Sequence, residues 1–385
     1  MDMTSTIQKE MGRRLWWYLA GSDWTIAARF GGSTQGVYLC HLRQMIVKKP
    51  LNINDEELID GVAPIDHPLS QPTTMSYSLL RIRLSEISRS IVDRTPLVVT
   101  DVYGLGLDVI MDVDTELQML LNDIPPFFSM PITALTEIYH LSPSEAAKIV
   151  HQGYTFRSLL YSQRCKLHLP YFSRGFVDSA YASSRDICFQ SARQIIKTET
   201  DLEISGLCTG LRYRSLGLLL GVFMASIVLL IDFCHNHSLP QQEKQQGEIA
   251  DALRILEEAR HDSETAAKVL EALMHTLRKH KVAPPRHADK QSRDPNADNG
   301  WPQDKPNEPT IYHAPTSQPI GETVMTPLSI PSSGVGGASE CGSYDSRAAD
   351  GDDISSYFND FAQSFEQGGT LDWNSIFADL DSSFS

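Results

Sequence analysis

Cysteine is sparse in this chain of 385 residues: the six, at positions 40, 165, 188, 208, 234 and 341, include no CxxC pair. That spacing suggests neither a disulfide-rich scaffold nor a cysteine zinc site, and it is read as buried free thiols. Catalytic signatures are missing as well. There is no G-x-S-x-G elbow, no G-x-x-x-x-G-K-[ST] phosphate loop, no G-x-G-x-x-G and no H-E-x-x-H, so no enzymatic activity is expected and no cofactor is visible. Long apolar runs are also lacking. The one membrane-span candidate, "SLGLLLGVFMASIVLLI" at 215 to 231, sits uncharged between Arg214 and Asp232 and falls short of the roughly 20 residues that span a bilayer. It reads as a central buried helix, and no membrane association is expected. A secretion signal is not evident either, because "LWWYLAG" follows Glu10, Arg13 and Arg14 inside a helical pattern.

Positive charge is the other shortage. Against 48 acidic residues stand 33 Lys and Arg, a net charge of −15, which argues against a general affinity for nucleic-acid phosphates. The imbalance is concentrated at one end. Glu340 to Ser385 holds ten acidic residues and one basic residue, Arg347, for a net of −9.

Histidine clusters offer little more. "CHNH" at 234 to 237 reads as the polar end of a buried helix, where a histidine suits the dipole, rather than as a metal site. His275 and His280, five apart, point to different helix faces and read as solvated. "RKHK" at 278 to 281 reads as a charged helix end.

What the sequence does contain is helical periodicity. Leu15, Trp16, Leu19, Trp24, Ile26 and Ala27 recur at spacings of three and four, predicting a helix from Ile7 to Phe30 that Gly31 and Gly32 stop. A loop follows, through "KKPLNINDEELIDG". Further helices are expected over Met75 to Val92, over Leu135 to Leu169 with a break near Ser142 and Pro143 and a close at Pro170, over Ser179 to Ile196, and over Leu211 to Cys234. A last amphipathic pair starts at Gly247 and breaks near Asp262 and Ser263. Only "PLVVTDVY" around Val98 alternates with period two. The expected fold is therefore all-α, a multi-helix domain over residues 1 to 281.

After Lys281 the composition changes. Ten prolines fall between Val282 and Ser332 with almost no periodic apolar residues, so 282 to 337 is expected to be a disordered Pro/Gly/Ser-rich linker. From 338 to 385 the chain is acidic and aromatic, the composition of disordered activation segments. On a helix, Phe358, Phe361 and Phe365 share one side, and Trp373, Ile376, Phe377 and Leu380 share another. With Tyr357 these are the candidate binding residues, expected to fold on docking into a partner's apolar groove.

The body also carries a recognisable pattern. "EMGRRLWWYLAGSDWTIAARFGG", Glu10 to Gly32, resembles the E-x-x-R-R-x-W-W-x-L segment of the middle homology region of fungal-specific transcription factors. "NINDEEL", "SYSLLRIRLSEISRSIVDR", "RCKLHLPYFSRGFVDSAYASSRDICFQSARQII" and "VFMASIVLLIDFCHN" are similar to its later elements, in the same order, so the resemblance covers roughly Glu10 to His280. It implies an all-α regulatory domain of a nuclear regulator, of a pathway-specific kind that includes activators of secondary-metabolite gene clusters. Such proteins usually carry an N-terminal six-cysteine zinc cluster for DNA binding, which this sequence does not show. Zinc and direct DNA contact are expected only if such a cluster precedes it. The alternative is a co-regulator or competitor without its own DNA binding, acting through a full-length zinc-cluster partner. The expected partners are coactivators, met by the tail, and a second copy of the chain or a zinc-cluster transcription factor. Read from the residues themselves, Arg13, Arg14, Trp16 and Trp17 are architecture, since a tryptophan-rich buried face cannot also enter a DNA groove.

Overall fold

A computed structural model describes residues 5–29, 37–95, 106–172, 174–207, 216–235 and 239–261, with 263, 266, 267, 270, 271 and 274 beyond them. All regular structure among the described residues is helical. The all-α expectation holds there.

The first helix, α1 (Thr6–Arg29), is capped from a distance. Ser5 Oγ and the Ile7 N–H both donate to Asp60 Oδ1, at 2.5 and 3.1 Å, which places a carboxylate where the first-turn amides need an acceptor and the helix dipole favours an anion. One face of α1 is buried, through Glu10, Trp17, Ala20, Trp24 and Ala27, against α2 (Ser76–Arg94). The Trp17 and Trp24 rings meet edge to face at 6.0 Å.

A second core gathers α2, α3 (Leu107–Asn122), the short turn Pro126–Ser129, α4 (Ile132–Tyr139) and the long α5 (Pro143–Phe172). The sequence reading assigns no helix to 107–122, yet Ile110, Val113, Leu117 and Leu120 make a buried stripe at helical spacing. The break near Ser142 occurs as expected. His140 takes a left-handed φ of 56° at the end of α4. Ser142 and Glu145 then form a capping box, with the Ser142 N–H donating to Glu145 Oε2 at 2.8 Å and the Glu145 N–H donating to Ser142 Oγ at 3.3 Å.

The expected close at Pro170 is corrected, because α5 continues to Phe172. A proline inside a helix forfeits one backbone hydrogen bond, and here the burial of Tyr171 and Phe172 offsets that loss. On α5, Phe156, Leu160, Leu167 and Tyr171 face the second core, while Tyr161, Cys165 and Phe172 face a third. A helix apolar on two sides must be enclosed on both.

That third core joins α5 to α6 (Ala182–Ile204), α7 (Leu216–His235) and α8 (Leu239–Ala259). Leu219, Val222, Ala225, Val228 and Leu229 of α7 are buried within it, as the reading of 215 to 231 as an internal helix requires. Among the described residues no helix is long and apolar enough to cross a membrane. Two boundaries differ from expectation. α6 runs eight residues past Ile196, because its last turns bury the polar Thr198, Glu199 and Thr200. α8 begins before Gly247, in a glutamine-rich stretch with no apolar stripe to announce it.

Candidate functional site

The predicted binding residues Tyr357, Phe358, Phe361, Phe365, Trp373, Ile376, Phe377 and Leu380 lie outside the described residues, with the proline-rich segment, "PLVVTDVY", His275, His280 and "RKHK". The side chains of Cys234 and His235 also lie outside the description. What the structure assembles is the tryptophan motif and the segment laid across it.

Glu10 is 1% exposed, an expensive place for a carboxylate unless it is paired. It receives Arg13 Nη1 at 2.8 Å, Arg14 Nε at 3.4 Å and the Leu51 backbone N–H at 3.0 Å. Arg14 also reaches Asp55 Oδ1 at 2.5 Å. The motif's charges are thus internal ties between α1 and the loop that follows it, in agreement with their reading as architecture. "NINDEEL" supplies the other end: buried Asn52 donates to the carbonyls of Pro68 and Gln71 at 3.0 and 3.2 Å and accepts from Thr73 Oγ1 at 2.6 Å. It holds the approach to α2.

Residues 37–50 form a strap over the α1–α2 pair. The indole N–H of Trp17 donates to the Lys48 carbonyl and that of Trp24 to the Cys40 carbonyl, each at 2.9 Å. Asp23 Oδ2 accepts the Leu39 and Cys40 amides, each at 2.7 Å. Tyr38 Oη donates to Asp93 at 2.7 Å, and Lys49 Nζ lies 2.7 Å from Glu86 Oε1. Burial and the Asp23 carboxylate push the Cys40 thiol above its ordinary pKa, so it is not an activated nucleophile.

With its backbone pinned, the strap turns apolar side chains outward. Leu39 is 84% exposed, Ile46 97% and Val37 55%. Among them stand Arg43, Lys48 and Lys49, with no acidic residue between Val37 and Pro50. Beside the strap, an open groove of about 370 Å³ is lined by Arg83, Arg89, Arg94, Glu86 and Glu116 among others. Exposed apolar groups interleaved with cations are suited to an apolar, acidic partner, because water covers the first poorly and the second attract negative charge.

A second polar cluster is buried between α3 and α5. Arg164 binds Asp114 through both carboxylate oxygens, at 2.7 and 2.8 Å, and Gln118 Oε1 at 2.7 Å. His168 Nε2 stands 3.2 Å from Asp114 Oδ1, and its Nδ1 is 2.6 Å from Ser184 Oγ. Burial alone would raise the Asp114 pKa. Hydrogen bonding from His168 and Arg164, with the arginine charge, overcomes that and holds it at about 2. Asp114 and His168 are buried and Arg164 keeps only a small part of its side chain in water, so the group ties α3 to α5.

Cys165 and Cys188 are buried free thiols with their sulfurs 3.7 Å apart, as the cysteine reading requires for that pair. Cys40 is only partly buried. Among the described residues no group of three or more His, Cys, Asp and Glu side chains is placed to hold a metal ion.

Three curated proteins are similar to this chain in sequence. The chain is 33% identical over 285 residues to "Probable transcription factor lepB" of Aspergillus flavus, covering 73% of this chain and 49% of that protein. It is 30% identical over 271 residues to "Agnestins biosynthesis cluster transcription factor AgnL11" of Paecilomyces divaricatus, covering 70% of this chain and 38% of that protein. It is 30% identical over 209 residues to "Transcription factor TAS2" of Pyricularia oryzae, covering 51% and 25% of the two. The chain is related to fungal transcription factors. It spans about half the length of the first of these relatives and less of the others. No family model and no solved structure matches it.

The strap and the Asp114 cluster were not singled out from the sequence. For the strap a signal existed only in Ile46 and Val47 running directly into Lys48 and Lys49, since acid-free stretches recur in this chain and the one from Ala146 to Val177 is longer than the strap. For the cluster none did: Asp114, Arg164 and His168 are brought together only by the packing of α3 on α5.

Proposed function

We propose that the chain is a regulator of transcription acting in the nucleus. In this reading residues 1 to 281 form a regulatory domain of the middle-homology-region type, 282 to 337 a linker, and 338 to 385 an activation segment whose aromatics grip a coactivator. The carrying observation is the 285-residue match to a protein named as a transcription factor. The residues beyond Lys281 are too few to hold such a match, so it runs through the helices. The relatives are named for regulation and not for catalysis, and one carries a biosynthesis cluster in its name, which supports a pathway-specific role beside a secondary-metabolite gene cluster.

Fusing Gly337 to Ser385 to a heterologous DNA-binding domain is expected to activate a reporter. Replacing Phe361, Phe365, Trp373 and Phe377 with alanine is expected to remove most of that signal. A silent fusion, expressed at a normal level, would take the activation role away.

A second reading is a co-regulator that reaches promoters through a zinc-cluster partner. The net charge of −15 favours it, because a surface of that sign opposes phosphate backbones. Retention of the purified full chain on promoter DNA without a partner would decide against it.

A further inference from the structure

We propose that the outward face of the strap, residues 37–50, is a docking surface for the acidic aromatic tail of the same chain, residues 351–385. The strap offers aliphatic side chains in water, with Ile46 97% exposed and Leu39 84% exposed, and the exposed cations Arg43 and Lys48, while Lys49 is already paired with Glu86. The tail offers the converse. It holds seven acidic residues and no Lys or Arg, with Tyr357, Phe358, Phe361, Phe365, Trp373, Phe377 and Phe384 among them. Apolar groups on each side lose water on contact, and opposite charges set the pairing.

Two further features favour this occupant. The strap is pre-organised: the indoles of Trp17 and Trp24 and the carboxylate of Asp23 hold its backbone from beneath, so little ordering is left for binding to supply. The tail is tethered within range. Taken as the linker its composition suggests, the roughly 70 residues between Lys281 and the tail would span about 45 Å end to end, against a radius of gyration of about 19 Å for a domain of this size. Tethering at that length gives an effective concentration on the order of millimolar, enough to populate a weak contact.

The inference rests on the reading of the tail as an amphipathic binding segment, and its consequence is that docking withholds the same aromatics from a coactivator. Contact and activation are separate readouts, so failure of the docking and failure of the activation role are distinguishable.

The experiment places the photoreactive residue p-benzoylphenylalanine at position 46 of the full chain, irradiates it, and identifies crosslinked peptides by mass spectrometry. Crosslinks into residues 351–385 are expected, at a yield unchanged by dilution. The double variant Arg43→Glu, Lys48→Glu should lower that yield about tenfold, since attraction becomes repulsion at two exposed sites. Its circular dichroism and melting should match the parent. If that variant fails to fold, Asp352→Lys with Asp353→Lys and Asp360→Lys in the tail should give the same loss with the strap intact. Crosslinks between isotopically light and heavy copies would make the strap a dimer interface. Crosslinks to the helical domain alone would leave the tail undocked. Either result overturns the proposal.

Discussion

Helices α1 and α5 are both apolar on two faces, and they meet opposite fates. On α5 both faces are covered, one by the core shared with α2, α3 and α4 and the other by the core shared with α6, α7 and α8. Among the described residues, only the Trp17 and Trp24 face of α1 is covered. The opposite face keeps Ile7, Met11, Leu15, Tyr18 and Leu19 in water, with Leu15 61% exposed. The same composition therefore serves two ends: enclosed it supplies stability, and exposed it is available for recognition. The strap beside α1 belongs to the second category.

Substitutions can break this contrast at either end. The largest effect is expected at Trp24, fully buried and tied to the Cys40 carbonyl. Trp24→Ala should cost about 3–5 kcal/mol in chemical denaturation and raise amide exchange across 37–50. Asp114→Asn follows. It leaves Arg164 without its charged partner in a largely buried setting, at a cost of about 2–3 kcal/mol.

The same pair gives an acid signature. The folded-state pKa of Asp114, about 2, lies below the ordinary 3.8, so its contribution is present above the ordinary value and is lost as pH falls toward the folded one. The difference corresponds to about 2 kcal/mol. Melting temperature should drop through that window in the parent, and drop less in Asp114→Asn.

Gly153 tests the packing of α5 directly. A Cβ there would meet the Phe128 carbonyl oxygen at 2.1 Å, a backbone atom that cannot swing aside, so Gly153→Ala should cost about 1–3 kcal/mol. The smallest effect belongs to the other face. Leu15→Ser, in water, should change stability by no more than about 0.5 kcal/mol. A loss of 2 kcal/mol or more there would show that this face is covered in solution, and the contrast between α1 and α5 would collapse.

What could be read from the sequence follows the same division. α1 was legible because tryptophans and aliphatics recur at helical spacing and two glycines end the run. The α4–α5 break was legible because Ser142, Pro143 and Glu145 are start signals whose chemistry is local. α3 is harder to read, its stripe overshadowed by the β-branched "PLVVTDVY" just before it. The end of α6 is hidden for a different reason. There Glu199 is buried and accepts from Ser158 Oγ of α5 at 2.7 Å, and a polar residue made internal by a partner 41 positions away leaves no mark in a hydrophobic pattern. The Asp114 cluster is hidden in the same manner. Of the motif, the sequence revealed that Arg13, Arg14 and the tryptophans were structural, but not that their hydrogen bonds would hold a strap with its apolar side chains outward.

The regulatory role itself is tested most directly by chromatin immunoprecipitation of the tagged full chain from fungal cells, followed by sequencing. Enrichment at a small set of promoters is predicted, concentrated near biosynthetic genes, whether the chain touches DNA itself or through a partner. A chain recovered outside the nucleus, with no promoter enriched above an untagged control, would contradict the account.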